Sequence, residues 1–155
     1  LFREVSATSG EEGMWEAYHH LRNSSFNPSE VGMGELTKRL GSAPVLVVPE
    51  TRHYCFEKAL DVLGLGRRAS VVVRSDHHFR MLPDELEGTL ERLDAEGRHV
   101  LAVVGVIGST EEGSIDPLHE IHRIRTRREQ CGKASFWLHG DGAYGGEEPR
   151  RICEL

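Results

Sequence analysis

Trp137-Leu138-His139-Gly140-Asp141-Gly142-Ala143-Tyr144-Gly145-Gly146 decides how the rest of the chain is read. It reads as a buried strand that delivers a histidine and an aspartate to a glycine-rich turn. In open α/β sheets, ligands sit beyond the carboxyl ends of the strands. Two other polar clusters follow apolar runs in the same way. Glu50-Thr51-Arg52-His53 follows Val45 to Val48, and Gly108-Ser109-Thr110 follows Val100 to Ile107. A single binding crevice requires that these three clusters converge.

The segments between them alternate in period. Val45–Val48, Ser70–Val73, Val100–Ile107 and Ala134–Leu138 are short runs that read as strands, the third of them apolar on both faces. Helical spacing marks Tyr54–Leu63, closed by Gly64, and Pro83–Glu96, with Leu86, Leu90 and Leu93 as its stripe and Gly97 as its stop. Asp116-Pro117 reads as a helix start, aspartate as cap and proline in the first turn, with Leu118, Ile121 and Ile124 facing the core. Near the front, Ser9-Gly10-Glu11-Glu12 has the form of a capping box. The helix it opens carries Met14, Trp15, Tyr18 and Leu21 on one face, expected as core. After the polar loop Asn23–Asn27, Ser29–Leu40 reads as a helix weakened by Gly32 and Gly34 and stopped by Gly41. Buried strands alternating with amphipathic helices predict a three-layer α/β fold, with a mostly parallel sheet and helices on both faces.

The chain has 155 residues, enough for one compact domain. A net charge of −6 and a pI near 5.8 argue against nucleic acid as a partner. The basic stretch Arg123 to Arg128 reads as a solvated helix face. The apolar runs are too short to cross a membrane. Cys55, Cys131 and Cys153 are odd in number and lack a Cys-x-x-Cys spacing, which fits a reducing cytoplasm better than a disulfide framework. Among the nine histidines, His19-His20 and His77-His78 point to different faces, and His119 and His122 have no spaced third ligand. No metal site is expected. The start at Leu1, without a signal layout or methionine, is expected of a chain cut from a longer one.

The Trp-Leu-His-x-Asp-x-Ala-Tyr-Gly-Gly string closely resembles the pyridoxal 5'-phosphate (PLP) site of the group II amino-acid decarboxylases, such as the glutamate, histidine and aromatic amino-acid enzymes. Three further segments resemble that family in the same order. His53-Tyr54-Cys55-Phe56-Glu57-Lys58-Ala59 is similar to its His-x-Ser-x-x-Lys-Ala stretch. Gly108 to Pro117 is similar to its Gly-Thr-Thr-x-x-Gly-x-x-Asp-Pro loop. Thr8 to Gly13 stands where the family has a phosphate loop at a helix N-terminus.

The resemblance implies the large domain of the aspartate-aminotransferase-like PLP fold, present in part over residues 1–155. It implies that Asp141 pairs with the pyridine nitrogen, that His53 stacks on the ring, that Ala143 packs against it and that the Thr110 hydroxyl approaches it. Ser9 and Gly10 would contact the phosphate, Ser9 also being read as a helix cap. The implied reaction is decarboxylation of an L-amino acid to an amine and carbon dioxide, by a cytoplasmic homodimer. Read alone, His53 is a helix-start histidine, Asp141 a turn aspartate before glycine, and His139 a structural hydrogen-bonder.

Departures from the family pattern keep alternatives open. The family's Schiff-base lysine lies downstream of the aspartate, in an Asp-x-His-Lys context, and Lys38, Lys58 and Lys133 stand in other contexts. The segment by itself is therefore expected not to decarboxylate efficiently. Glu11 stands where the family has a phosphate-binding hydroxyl, and Cys55 replaces a serine. The alternatives are another PLP-dependent carbon–carbon lyase of the same fold, similar to sphingosine-phosphate lyase, and a non-catalytic truncated paralogue.

Overall fold

The computed structural model describes residues 2–145, with the backbone alone for residues 2–9 and Glu11. The chain divides into two compact units, Leu1–Gly41 and Ser42–Leu155.

The first unit is a pair of helices. Helix α1, Phe2–Arg22, breaks at Gly10 (φ 66°, ψ −161°), and α2, Pro28–Leu40, breaks at Gly32 (φ 76°, ψ 158°). Both breaks use a left-handed φ that glycine adopts without a Cβ penalty. The helix expected to open at Ser9 therefore has a helical segment before it as well as after the break. Asn27 caps α2, its Oδ1 accepting the Ser29 N–H at 3.0 Å, with Pro28 at the first turn. The stripe expected as core is not buried: Trp15, Tyr18 and Leu21 keep 53%, 41% and 47% of their surface exposed. Two helices close few layers, and Leu36 is the buried apolar side chain of this unit among the described residues.

The second unit is a parallel sheet with helices on both faces. Its strands are β1 Val45–Pro49, β2 Ser70–Val73, β3 Val100–Val106 and β4 Trp137–Asp141, in the order β2-β1-β3-β4 with every pair parallel. Helix α3, Cys55–Val62, joins β1 to β2; α4, Pro83–Ala95, joins β2 to β3; and α5, Leu118–Gln130, joins β3 to β4. The first crossover moves outward one way and the next two move the other way. Right-handed crossovers then put α3 on one face and α4 and α5 on the other. The order reverses between β1 and β3, which makes their carboxyl ends the switch point of the sheet.

The core lies on the α4–α5 face, where Val45, Val47, Val73 and Val103 of the sheet meet Leu86, Leu90, Leu93, Ile121 and Ile124. Leu86, Leu90 and Leu93 are fully buried, each contributing roughly 1.5–3 kcal/mol of apolar transfer. The α3 face is thinner. A bulge in β3 leaves Leu101 unpaired with β1 and 53% exposed, and Val72 is 41% exposed.

Three expectations need correction. The last strand is Trp137–Asp141 rather than Ala134–Leu138, because its hydrogen-bonded register runs from Ala102–Trp137 to Val106–Asp141. Hydropathy undershoots there, since β4 is an edge strand with an exposed outer row and Phe136, the buried aromatic, precedes it. Asp116 does not cap α5. It is buried, its carboxylate accepting the Met81 N–H at 2.6 Å and the Val106 N–H at 2.7 Å, while Pro117 stands at the helix cap. The basic stretch on α5 is a solvated face at Arg123 and Arg127, which stay largely exposed beside Glu120 and Glu87, but not at Arg128, which is buried against Asp94. Among the described residues, no helix is long and apolar enough to cross a membrane.

Candidate active site

The three polar clusters meet at the carboxyl ends of β1, β3 and β4. Thr51, His53 and Cys55 follow β1; Val106, Gly108, Ser109 and Thr110 end and follow β3; Asp141, Ala143 and Tyr144 end and follow β4. Together they line a cavity of about 290 Å³. It opens beside a second hollow that shares Thr51, His53, Ser109 and Thr110, with Glu50, Glu111 and Glu112 on its wall. His53, Thr110, Asp141 and Ala143 are thus brought to one place.

His53 stands just before α3, and its Nδ1 accepts the Cys55 N–H at 3.3 Å. That bond fills one of the orphan donors of the helix start. With Nδ1 accepting, the neutral imidazole carries its proton on Nε2. The ring lies 4.1 Å from the Tyr54 ring, centre to centre, and the side chain remains exposed. The helix-start reading and the cavity-wall reading of His53 therefore hold together.

Asp141 ends β4 opposite Val106. Its carbonyl accepts the Ile107 N–H at 2.8 Å, which fixes its backbone to the neighbouring strand. One carboxylate oxygen accepts the Ala143 N–H at 3.2 Å in a turn typical of aspartate. Among the described residues the other oxygen has no partner. The His139 ring, read as a hydrogen-bonder, instead lies edge-on to Phe56 of α3 at 5.9 Å, and its side chain makes no hydrogen bond among the described residues.

Two glycines let the β3 and β4 loops meet. A Cβ on Gly108 (φ 84°) would meet the Gly145 backbone at 3.0 Å, and one on Gly145 would come within 2.4 Å of the Ile107 carbonyl oxygen. The two loops touch backbone to backbone, and only glycine permits it.

Two wall residues belong to the expected clusters, but sequence alone assigns neither a role of its own. Ser109 is 3% exposed, and its hydroxyl ties the β3 loop together: it lies 2.7 Å from Glu112 Oε2 and 3.0 Å from Ser114 Oγ, and accepts the Ser114 N–H at 3.1 Å. Its neighbour Thr110 is exposed on the cavity side. Thr51 Oγ1 is shielded from solvent without a hydrogen-bond partner among the described residues. Nothing in the spacing of either residue marks it, since loop hydroxyls are common.

Of the residues expected at the phosphate, Ser9 has its side chain outside the described residues, and Gly10 is the break in α1. Glu11's side chain, Gly146 and Cys153 also lie outside the described residues.

Residues 25–148 match the model of the pyridoxal-dependent decarboxylase conserved domain. The L-tyrosine decarboxylase of Levilactobacillus brevis is 41% identical over 113 residues, covering 73% of this chain and 17% of that protein. The aspartate 1-decarboxylase of Aliivibrio fischeri is 41% identical over 101 residues, covering 65% of this chain and 17% of that protein. In structure, the glutamate decarboxylase domain of diaminobutyrate-pyruvate transaminase and L-2,4-diaminobutyrate decarboxylase from Vibrio parahaemolyticus aligns with a TM-score of 0.68 at 26% identity. That alignment covers 83% of this chain and 26% of that one. The chain thus spans about a sixth of the length of the two curated relatives. A family match over most of the chain, on the same parallel α/β scaffold, means that this chain belongs to the pyridoxal-dependent decarboxylase family.

Proposed function

We propose that this chain is the cofactor-holding part of an enzyme that removes the α-carboxylate of an L-amino acid, releasing an amine and carbon dioxide. The observation that carries the proposal is the cavity at the switch point. There the free oxygen of Asp141, the exposed ring of His53 and the Thr110 hydroxyl share one wall system.

The residues present fit pyridoxal phosphate. Asp141 has an acceptor left over for a ring N–H. The backbone contact between Gly108 and Gly145 holds the two cavity loops together, and Gly108 adds no side chain to the cavity wall. The unpartnered Thr51 hydroxyl stands in the cavity wall, a polar group that burial penalises until it is matched. When bound, the cofactor supplies an electron sink for the pair left at the substrate Cα as carbon dioxide departs.

The chain's own residues do the positioning. Asp141 would hold a proton at the cofactor's ring nitrogen and so keep the electron sink deep. His53, fixed through Nδ1 to the α3 start, would stack on the ring. Ala143, pinned by its N–H to Asp141, would pack against the ring, and the Thr110 hydroxyl would approach it. By the family resemblance, Ser9 and Gly10 are phosphate contacts.

The intact protein is a cytoplasmic homodimer in this proposal. Free Cys55 and Cys131 fit a reducing compartment, and exposed Trp137 and Val62 fit surface that another chain covers. The relatives' names make tyrosine, aspartate and 2,4-diaminobutyrate the first substrates to try. The test is to add pyridoxal phosphate to the protein carrying this chain and assay each amino acid for amine and carbon dioxide. Amine from one of them supports the proposal. Cofactor binding with no amine from any L-amino acid would overturn it.

A further inference from the structure

Asp116 is 1% exposed, and no cationic side chain pairs with it among the described residues. Burial pushes its carboxyl above the usual range, against the pull of the Met81 and Val106 N–H groups. Both of its carboxyl oxygens are engaged by backbone N–H groups, so the side chain acts on the geometry of what it holds.

It joins three segments. Its Oδ1 takes the Met81 N–H, at the end of the excursion after β2 that pairs Ser75 with Met81. Its Oδ2 takes the Val106 N–H, and its own N–H donates to the Val106 carbonyl at 2.9 Å. That double bond to Val106 closes the base of the loop bearing Ser109 and Thr110. Strand alternation turns the Val106 N–H toward β1, whose pairing with β3 has already stopped at Val47–Val103. Asp116 therefore satisfies a donor that the sheet leaves orphaned. The next residue, Ile107, donates to the Asp141 carbonyl at 2.8 Å and accepts the Gly145 N–H at 3.0 Å. The Ser109–Thr110 wall and the Asp141 wall are both set from Val106 and Ile107.

We propose that Asp116 is a positioning residue that fixes Asp141 against the Ser109–Thr110 wall through Val106 and Ile107. The proposal rests on the cofactor reading of the cavity for its consequence, but not for its geometry. Asp116→Asn replaces one acceptor with a donor that faces a backbone N–H. Asp116→Glu keeps the carboxylate one methylene too long.

The experiment compares both variants with Leu90→Ala, a buried α4 change remote from the cavity, by amide hydrogen exchange and by titration with pyridoxal phosphate. In Asp116→Asn, Ile107 and Gly145 should exchange about 10- to 100-fold faster relative to Val47 and Val48 of β1. Pyridoxal phosphate affinity should fall by about 10- to 100-fold, given the sensitivity of positioned sites to small displacements. Asp116→Glu should show both effects in weaker form. Leu90→Ala should accelerate exchange evenly and leave the relative protection of Ile107 intact.

If Asp116→Asn does not fold, Asp116→Glu decides the matter by the same exchange ratio. An unchanged Ile107 and Gly145 ratio in a folded variant overturns the proposal. Wild-type protein that fails to bind pyridoxal phosphate overturns the cofactor reading instead, and the exchange ratio still decides for or against Asp116.

Discussion

Gly145 and Ile107 meet backbone to backbone: the Gly145 N–H donates to the Ile107 carbonyl at 3.0 Å, and a Cβ on Gly145 would stand 2.4 Å from that same oxygen. The contact locks the turn after β4 onto the end of β3. Gly145→Ala forces one of the two backbones to move, and overpacking of this kind costs about 1–3 kcal/mol. Urea unfolding should show that loss. The displaced turn also carries Ala143 and borders Asp141, so affinity for pyridoxal phosphate should fall with it. Unchanged stability and affinity would mean that the loops separate freely.

Phe79 is the non-glycine residue with a left-handed backbone among the described residues (φ 60°), and it is half exposed at the tip of the excursion after β2. A bulky side chain there costs roughly 1–2 kcal/mol. The turn survives because Asp76 accepts the backbone N–H groups of His78 and Arg80 and the Arg80 guanidinium. Phe79→Gly removes the strain at an entropic cost of roughly 0.5–1 kcal/mol. The net expectation is a gain of about 0–1.5 kcal/mol, read as a higher denaturation midpoint. A lower midpoint would show that the Phe79 ring packs more usefully than its exposure indicates.

Acid should unfold the second unit through Asp94. Its carboxylate grips the buried Arg128 in a two-pronged pair at 2.8 and 2.9 Å, with Lys133 at 3.5 Å. The Arg128 hydrogen bonds hold its pKa below the ordinary 3.8. A depressed folded-state pKa gives stability that is present above the unfolded value and lost as pH falls through the folded one. The pair should therefore begin to fail just below pH 4. Asp76, held at about 2 by the Arg80 N–H and guanidinium, should titrate later. Asp116, raised by burial, has the opposite sign and gains stability on acidification down to its unfolded value. Asp94→Asn should weaken folding by about 3 kcal/mol at pH 7, since it leaves Arg128 buried and unmatched. It should also flatten the acid limb below pH 4. Wild-type and variant curves that fall in parallel through that range would refute the assignment.

Much of this arrangement is legible in the sequence, for a physical reason. Val45–Pro49 and Val100–Val106 are central strands with no polar row, so hydropathy marks them within a residue. Leu86, Leu90 and Leu93 mark the buried face of α4 by spacing alone. The edge strand β4 is less legible because its outer row is exposed, and hydropathy places it three residues early. The role of Asp116 is hidden by its neighbour: aspartate before proline has the local signature of a helix cap, and only tertiary contact with Met81 and Val106 diverts it. Trp15, Tyr18 and Leu21 follow helical spacing whether or not anything covers them, so periodicity supplies a face but not its burial. At the site, His53, Thr110 and Asp141 stand out through motif context. Ser109 and Thr51 do not, because their importance lies in hydrogen bonds made or missing within the loops.

The sharpest functional prediction separates the two residues assigned to the cofactor ring. Asp141→Asn keeps the shape and the Ala143 N–H contact, which needs only the side-chain oxygen. It removes the negative charge that would hold a proton on the ring nitrogen. Binding of pyridoxal phosphate should survive, while turnover of the protein carrying this chain should drop by roughly 100- to 1,000-fold, the usual scale for losing one preorganised electrostatic partner. His53→Ala acts differently. It strips a ring face from the cavity and the Nδ1 acceptor from the α3 start, so cofactor affinity should fall along with turnover. The measurement is a pyridoxal phosphate titration beside a turnover assay for each variant. Loss of binding in Asp141→Asn with full binding in His53→Ala would reverse the two roles. Full turnover in Asp141→Asn would remove Asp141 from the chemistry.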